Sequence, residues 1–303
     1  MLVELKPNRK LFTIFLIINA AGYDYENNPN GVHPLRIDFR NKTANLILKN
    51  EIFSDIVATI KKIPLPSDDY VCLANFIMMP KLARNSNKDK TDKLVSVHLK
   101  KLLEQFNKII KSPIINQLFN KYCRTLSNIP NYSKSNFSSH LCPVLDFFHL
   151  RPSIIRRIKI HLNLLESCSR GTNYYMSESG YISVSLDLQN HISWPTVRHE
   201  FMHILLKKII RLEGSIENKL AIAVDKNYQD ASPRVKFDEN FVLAANLFFI
   251  GDENKRKNNL KYFYDKGFYN IYTFYKFIET NFAKSNKKLS NRIISELVKE
   301  FVK

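Results

Sequence analysis

Hydrophobic positions in the first half of the chain recur mainly at helical spacing. Leu2–Leu5 holds three apolar residues and Glu4 and predicts a strand, and residues 11–21 (LFTIFLIINAA) predict a buried helix after a Pro-Asn turn. Helical periodicity returns over residues 44–62 and 93–123. Between these segments, residues 70–79 (YVCLANFIMM) form a mainly apolar run that favours a strand. The first half is therefore predicted to be mainly helical.

The second half begins with a different pattern. Residues 127–140 (SNIPNYSKSNFSSH) are rich in Ser and Asn and predict a loop, which we interpret as the boundary between regions 1–130 and 141–303, unless the two form one continuous domain. Apolar and polar residues then alternate over 156–167, which predicts a strand with one buried face. The same alternation over 181–188 (YISVSLDL) leaves a polar outer face and predicts an edge strand.

Three helical segments complete the pattern. An apolar helix is predicted to begin after Ser193 or Thr196, either of which can cap it, and to end near residue 211. Residues 238–250 are almost uniformly apolar beyond the first turn and predict a buried helix, and residues 291–302 predict an amphipathic one. The expected fold is α+β: a helical N-terminal half packed on a small mixed sheet with an edge strand, and a helical C-terminal part.

Composition changes this picture little. The chain has only seven glycines and no GxxxxGK or GxGxxG sequence, which argues against nucleotide binding by either motif. The net charge of +18 suits a phosphate-bearing partner, but the lysines are spread along the whole chain, as on a solvated surface. A basic module for nucleic acid or an anionic surface is the alternative function, with the aromatic segment 261–277 as its second feature. We expect those aromatic residues to belong to the core.

The cysteines and the N-terminal segment indicate the cellular compartment of the protein. Cys72, Cys123, Cys142 and Cys168 form no CxxC pair and are expected to be free thiols in a reducing compartment. The apolar run at 11–21 is too short to span a membrane as a helix, and no transmembrane segment is predicted. We favour its folded interpretation, and with it a cytoplasmic location; residues 1–21 acting as a signal peptide would instead make the protein secreted.

The sequence WPTVRHEFMHILLKKII contains the strongest chemical signal. His199, Glu200 and His203 form HExxH on a predicted helix, where residues four apart share one face, so both imidazoles can reach one metal ion. Glu200 is rotated away from the two rings and can take a proton from a water molecule that zinc activates. Since the chain has only eight histidines, chance rarely produces this spacing. We therefore predict a Zn²⁺ site.

A catalytic zinc site needs a third protein ligand and leaves the fourth position to water. The extended pattern HExxHxxGxxH fails, because its later positions hold leucine and isoleucine. A downstream carboxylate must supply the ligand. Glu213 and Glu217 are expected to be solvated charges, whereas Glu239 enters an apolar helix where a carboxylate needs a cationic partner. We predict Glu239 as the ligand, with Asp238 as the next choice.

These motifs resemble the gluzincin metallopeptidases, the thermolysin-like group in which a Glu on a second helix completes HExxH. A closer resemblance is to a poorly characterised, mainly bacterial family of predicted peptidases with an HEFxH motif. Its segments are matched by VELKPNRKLFTIFLIINAAGYD, DFFHLRPSIIRRIKIHLNLLESCSRGTNYY, RHEFMH and DENFVLAANLFF. The chain departs from it in lacking an Asn-Pro after the HEFxH helix and an Arg in the Glu-bearing helix. The resemblance implies a zincin-like fold.

The expected activity is hydrolysis of a peptide bond in a peptide or protein substrate, with Glu200 passing the proton of the attacking water to the leaving amine. The substrate is expected to pair with the strand at 181–188, with contacts from four residues: Ser183, Ser185, Asp187 and His191. A second donor to the oxyanion is also needed. The candidates are His191, Tyr262, Tyr264 and Tyr269. The remaining alternative is a catalytically inactive zincin-like protein.

Overall fold

A computed structural model describes residues 1–22, 32–62, 73–74, 77–78, 92–129, 137–168, 170–176, 179–212, 214–222 and 232–302. Over these residues the protein is mainly helical and contains a four-stranded sheet. The predicted α+β class is therefore confirmed. No helix in this part of the chain is both long enough and apolar enough to cross a membrane.

The sheet contains four short strands: β1 (Leu2–Leu5), β2 (Arg157–Leu162), β3 (Gly171–Met176) and β4 (Ser179–Val184). Their spatial order is β1-β2-β4-β3, with β1, β2 and β4 parallel and β3 antiparallel to β4. β1 comes from the first of the two predicted regions and β2 from the second. The sheet is thus built across the predicted boundary at 127–140. Residues 130–136 lie outside the described part of the chain, and residues 137–140 belong to a helix, so the predicted loop is wrong there.

The predicted edge strand is an interior strand. β4 covers only the first part of 181–188 and pairs with β2 on one side and with β3 on the other. Within the described residues, β3 forms that edge of the sheet instead. The prediction was wrong because alternation reports which face of a strand is buried. It does not report whether another strand takes up the backbone hydrogen bonds at its side.

Six helices from the first half are described: α1 (Arg9–Ala20), α2 (Pro34–Lys49), α3 (Glu51–Lys61), α4 (Asp92–Ile109), α5 (Pro113–Ser127) and α6 (Phe137–Phe147). The predicted strand at β1 and the buried helix at α1 are confirmed. Asn8 begins α1 by accepting hydrogen bonds from the next turn, as an N-cap does. Leu11 to Asn19 are buried throughout, so α1 is a core helix.

Two predicted helices are each divided in two. Asn50 interrupts the segment 44–62 because its side chain accepts the first N–H groups of α3 and starts a new helix. Ser112 interrupts the segment 93–123 in the same way, with Pro113 in the first turn of α5. Hydrophobic periodicity continues across both breaks and hides them. Of the strand predicted at 70–79, the described residues 73–74 and 77–78 are helical, so that prediction is wrong there.

The HExxH helix and its partner have matching starts. α7 (Trp194–Ile209) is capped by Ser193, and after the short helix α8 (Gly214–Glu217), α9 (Pro233–Asn246) is capped by Ser232. Each long helix also has a proline in its first turn, where the missing N–H costs no hydrogen bond. α7 packs on β3 and β4 and against α9. It approaches the sheet closely at Gly180, where an added Cβ would lie 2.8 Å from Ile204 Cδ1.

The C-terminal part contains α10 (Glu253–Asp265), α11 (Ile271–Ile278), a π-helical turn (Glu279–Lys284) and α12 (Asn291–Val298). The aromatic segment 261–277 is divided between core and surface. Its phenylalanines at 268, 274 and 277 are buried as expected, whereas four tyrosines are exposed: Tyr262, Tyr264, Tyr269 and Tyr272. The phenol hydroxyl keeps such rings at the surface while their edges pack on one another. Cys123, Cys142 and Cys168 are free thiols, and Cys72 lies outside the described residues.

Candidate metal centre

The two histidines of HExxH stand together on one face of α7. His199 and His203 are one helical turn apart, and their ring centroids are 4.7 Å from each other. The Nε2 atoms of the two rings lie 3.0 Å apart. Both nitrogens therefore point at the same small volume beside the helix.

Glu239 reaches that volume from α9. Its Oε2 lies 3.5 Å from Nε2 of His199, and its Oε1 lies 3.3 Å from Nε2 of His203. The three side chains are only 18%, 8% and 15% exposed for His199, His203 and Glu239. Glu239 follows His203 by 36 residues in the sequence. The packing of α9 against α7 thus brings two imidazoles and one carboxylate together.

The spacing of these donor atoms suits a small tetrahedral cation. Zinc is bound by nitrogen and oxygen at about 2.0–2.2 Å, so neighbouring ligands in a regular tetrahedron lie about 3.3–3.5 Å apart. The distances of 3.0, 3.3 and 3.5 Å among His199, His203 and Glu239 fall close to this value. The donor set of two imidazoles and a carboxylate is also one that catalytic zinc sites use. These three residues can therefore hold a metal ion.

The electrostatics of the cluster favour a positive charge. Burial acts to raise the pKa of Glu239, but His203 and His199 overcome this effect and hold that pKa well below its ordinary value. Burial acts to lower the pKa of His199, yet the hydrogen bond and charge of Glu239 raise it above its ordinary value. The carboxylate is therefore ionised inside the protein, and a cation beside it is stabilised.

Glu200 lies next to the cluster and is oriented by the edge strand. Its side chain is buried, and its Oε2 accepts a hydrogen bond of 2.6 Å from Nδ2 of Asn173 on β3. Asn173 Oδ1 in turn accepts a hydrogen bond of 2.7 Å from Nζ of Lys207 on α7. Gly171 allows the close approach, because an added Cβ there would lie 2.7 Å from Glu200 Cγ. Glu200 is thus held in one orientation beside the two imidazoles.

The sequence prediction missed Asn173 and the strand that carries it. A signal was present, since the run GTNYYM after a basic and polar stretch is rich in Thr and Tyr, which favour strands. Its six residues pair with β4 as a hairpin, which places Gly171 and Asn173 on the sheet face that α7 covers.

Two of the other candidate carboxylates, Asp238 and Glu217, do not join the cluster. Asp238 is buried, but it forms an ion pair with Arg234, whose Nε lies 2.9 Å from Oδ1 of Asp238. Burial raises the pKa of Asp238, and Arg234 opposes that effect. Glu217 lies in the short helix α8 and is not among the three residues whose ligand atoms lie within 4.8 Å of one another. Glu213 lies outside the described residues.

A cleft of about 420 Å³ opens beside His199, Glu200, His203 and Glu239. The four residues predicted to contact substrate lie elsewhere, because none of them lines this cleft: Ser183, Ser185, Asp187 and His191. Ser183 and Ser185 are buried, and Asp187 instead pairs with His191 in a turn after β4. Their placement follows from the interior position of β4. The polar residues at the cleft come instead from Arg170 and β3, from α7 and from α9.

The predicted oxyanion donors do not line the cleft either. Tyr262 and Tyr264 are exposed on α10, Tyr269 is exposed in the loop after it, and none of the three lines the cleft. The polar side chains that do line it include Thr172, Thr196 and Asn246. Asn246 is oriented by a hydrogen bond of 3.1 Å from its Nδ2 to the carbonyl of Pro195. The cleft thus has hydrogen-bonding side chains of its own.

No protein-family model, no curated protein and no solved structure matches this chain. The functional argument therefore depends on the geometry of the site and on the chemistry of its residues.

Proposed function

We propose that this protein is a zinc-dependent metallopeptidase. The observation that carries the proposal is the convergence of His199, His203 and Glu239 at the edge of an open cleft. Three protein ligands at a cleft leave a coordination position for water or substrate, as catalytic zinc sites require. A purely structural zinc is usually closed by four protein ligands, so the open cleft favours catalysis over an inactive zincin-like protein.

The bound zinc would supply Lewis-acid activation of water and of a carbonyl group. Glu200 is the proposed general base, because its carboxylate lies beside the ligand cluster without belonging to it. It takes the proton of the attacking water and passes this proton to the leaving amine. Asn173 and Lys207 hold Glu200 in place for both transfers through their chain of two hydrogen bonds.

The proposed substrate pairs with β3 rather than with residues 181–188. β3 is the sheet edge among the described residues, and its Gly171, Thr172 and Asn173 line the cleft. An extended peptide can add to such an edge through backbone hydrogen bonds, which would bring its scissile bond to the metal. An antiparallel edge strand above an HExxH helix, with a Glu from a second helix, supports a zincin-like fold of the gluzincin type.

The metal content of the purified protein tests the first half of this proposal. We expect about one zinc per chain by elemental analysis. Glu239→Ala should lower zinc affinity by more than about 100-fold, since even residues that only support a ligand contribute about 10–100-fold. Glu217→Ala is the matched control, because it removes a carboxylate that lies outside the cluster. Equal zinc content in both variants would reject Glu239 as a ligand.

Peptide hydrolysis tests the second half. The zinc-loaded protein should cleave members of a quenched-fluorescence peptide library, lose the activity with a chelator and regain it on addition of zinc. A protein that binds zinc through Glu239 but cleaves no peptide would be an inactive zincin-like protein. A protein that binds no metal would remove the proposal altogether.

A further inference from the structure

A second cavity, of about 580 Å³, lies where the loop before β2 meets the C-terminal half of α7. Four cationic side chains line it: Arg151, Arg156, Lys208 and Lys288. We call this site the basic cavity. It shares no lining residue with the cleft at His199 and His203, so it is a separate site.

Among the described residues, the lining of the basic cavity contains no Asp or Glu. Four cationic side chains around one concave site create a positive potential there, which attracts an anion.

Backbone contacts hold the three contributing segments in place. The N–H of Ile154 donates to the carbonyl of Arg151 at 2.9 Å, which closes the turn before β2. The N–H of Leu289 donates to the carbonyl of Phe148 at 3.0 Å, which fixes the segment that carries Lys288 beside the end of α6. Lys208 belongs to α7 itself. The cations are thus brought together by the fold, not by chance proximity along one flexible loop.

We propose that the basic cavity binds a phosphorylated ligand, with a phosphate group among the four cations. A phosphate ester carries up to two negative charges near neutral pH and offers three terminal oxygens, so it can contact several cations at once. The planar guanidinium groups of Arg151 and Arg156 suit bidentate contacts to such oxygens. Leu150 and Ile154 supply an apolar wall for the rest of the ligand. The volume lies within the range of small-molecule sites.

Pyrophosphate is the probe for this proposal, and calorimetry on the full chain is the measurement. The cavity variant is Arg151→Gln with Lys288→Gln, two exposed residues outside the proposed catalytic site. The control variant is Arg124→Gln with Lys261→Gln, which removes the same charge from exposed positions that do not line the cavity. We expect saturable binding that weakens at least 10-fold in the cavity variant and stays unchanged in the control. Equal binding by the two variants, or no saturable binding to the wild type, would overturn the proposal.

A second arm distinguishes the two sources of phosphate. A labelled single-stranded oligonucleotide that pyrophosphate displaces, and that binds the cavity variant more weakly than the control, would identify nucleic acid as the source. If the oligonucleotide binds both variants equally while pyrophosphate still distinguishes them, the ligand is a free phosphorylated small molecule. Circular dichroism of both variants checks that they are folded. These binding measurements do not require peptidase activity, so their outcome is separate from that of the proposed function.

Discussion

Histidines lie on both faces of the sheet, but their surroundings differ in charge. On the side that α7 covers, His199 and His203 converge on the carboxylate of Glu239. On the opposite face, His161 is only 2% exposed, and its Nδ1 accepts a hydrogen bond of 2.9 Å from the N–H of Asn8. No ion pair joins His161 to a carboxylate within the described residues.

This difference changes the chemistry of the imidazole. Burial lowers the pKa of His161 to about 3, so the ring is neutral at physiological pH and serves the packing of the fold. Glu239 raises the pKa of His199 against the same effect of burial. A buried histidine therefore becomes a candidate metal ligand when a carboxylate and a second imidazole share its volume, and burial alone does not make it one.

The largest predicted effect is a loss of activity on the side of the sheet that α7 covers, and it concerns Glu200. Glu200→Gln should lower kcat for peptide hydrolysis by about 10²–10⁴-fold, because the amide cannot take up the proton of the attacking water. Zinc content should stay unchanged, since Glu200 is not part of the ligand cluster. Glu217→Gln, at a residue that does not line the cleft, should keep full activity. An active Glu200→Gln variant would show that another group is the base.

The next effect tests the opposite face through the pH dependence of stability. Because the pKa of His161 falls to about 3 in the folded protein and is about 6.5 when unfolded, only the unfolded state binds this proton between these pH values. Stability is therefore lost as pH falls below about 6.5. Between pH 7 and pH 5 we expect His161 to account for a loss of about 2 kcal/mol in the free energy of unfolding. Urea unfolding at both pH values measures this loss, and in His161→Gln the loss should be smaller by that amount than in the wild type. Identical losses in the two proteins would show that His161 is not the group responsible.

A smaller effect is expected at Asn173, which orients Glu200 without contacting the ligand cluster. Asn173→Ala should lower kcat by about 10-fold with little change in KM, because a buried carboxylate loses the donor that holds it. Lys207→Met should lower kcat less, since it leaves the hydrogen bond between Asn173 and Glu200 in place. A larger loss in Lys207→Met than in Asn173→Ala would show that the lysine acts on the reaction by another route.

Local features of the chain were predictable because they depend on neighbouring residues. The helix that carries His199 and His203 follows from helical spacing, and Ser193 was correctly named as one of two possible caps. The choice of Glu239 over Asp238 is consistent with the geometry, because Asp238 turns to Arg234 instead. The breaks at Asn50 and Ser112 were missed, since a cap inside a continuous apolar pattern leaves the periodicity intact.

The placement of His199, Glu200 and His203 on one helix follows from local spacing, because the pitch of the α-helix brings residues 199 and 203 to one face with residue 200 beside them. The strand that borders these three residues and the charges around them depend on tertiary contacts. β3 rather than β4 lies at the edge, and the four cations of the basic cavity come from segments more than 130 residues apart from first to last. Strand pairing and the convergence of charges arise from contacts between distant segments, and local spacing does not encode such contacts.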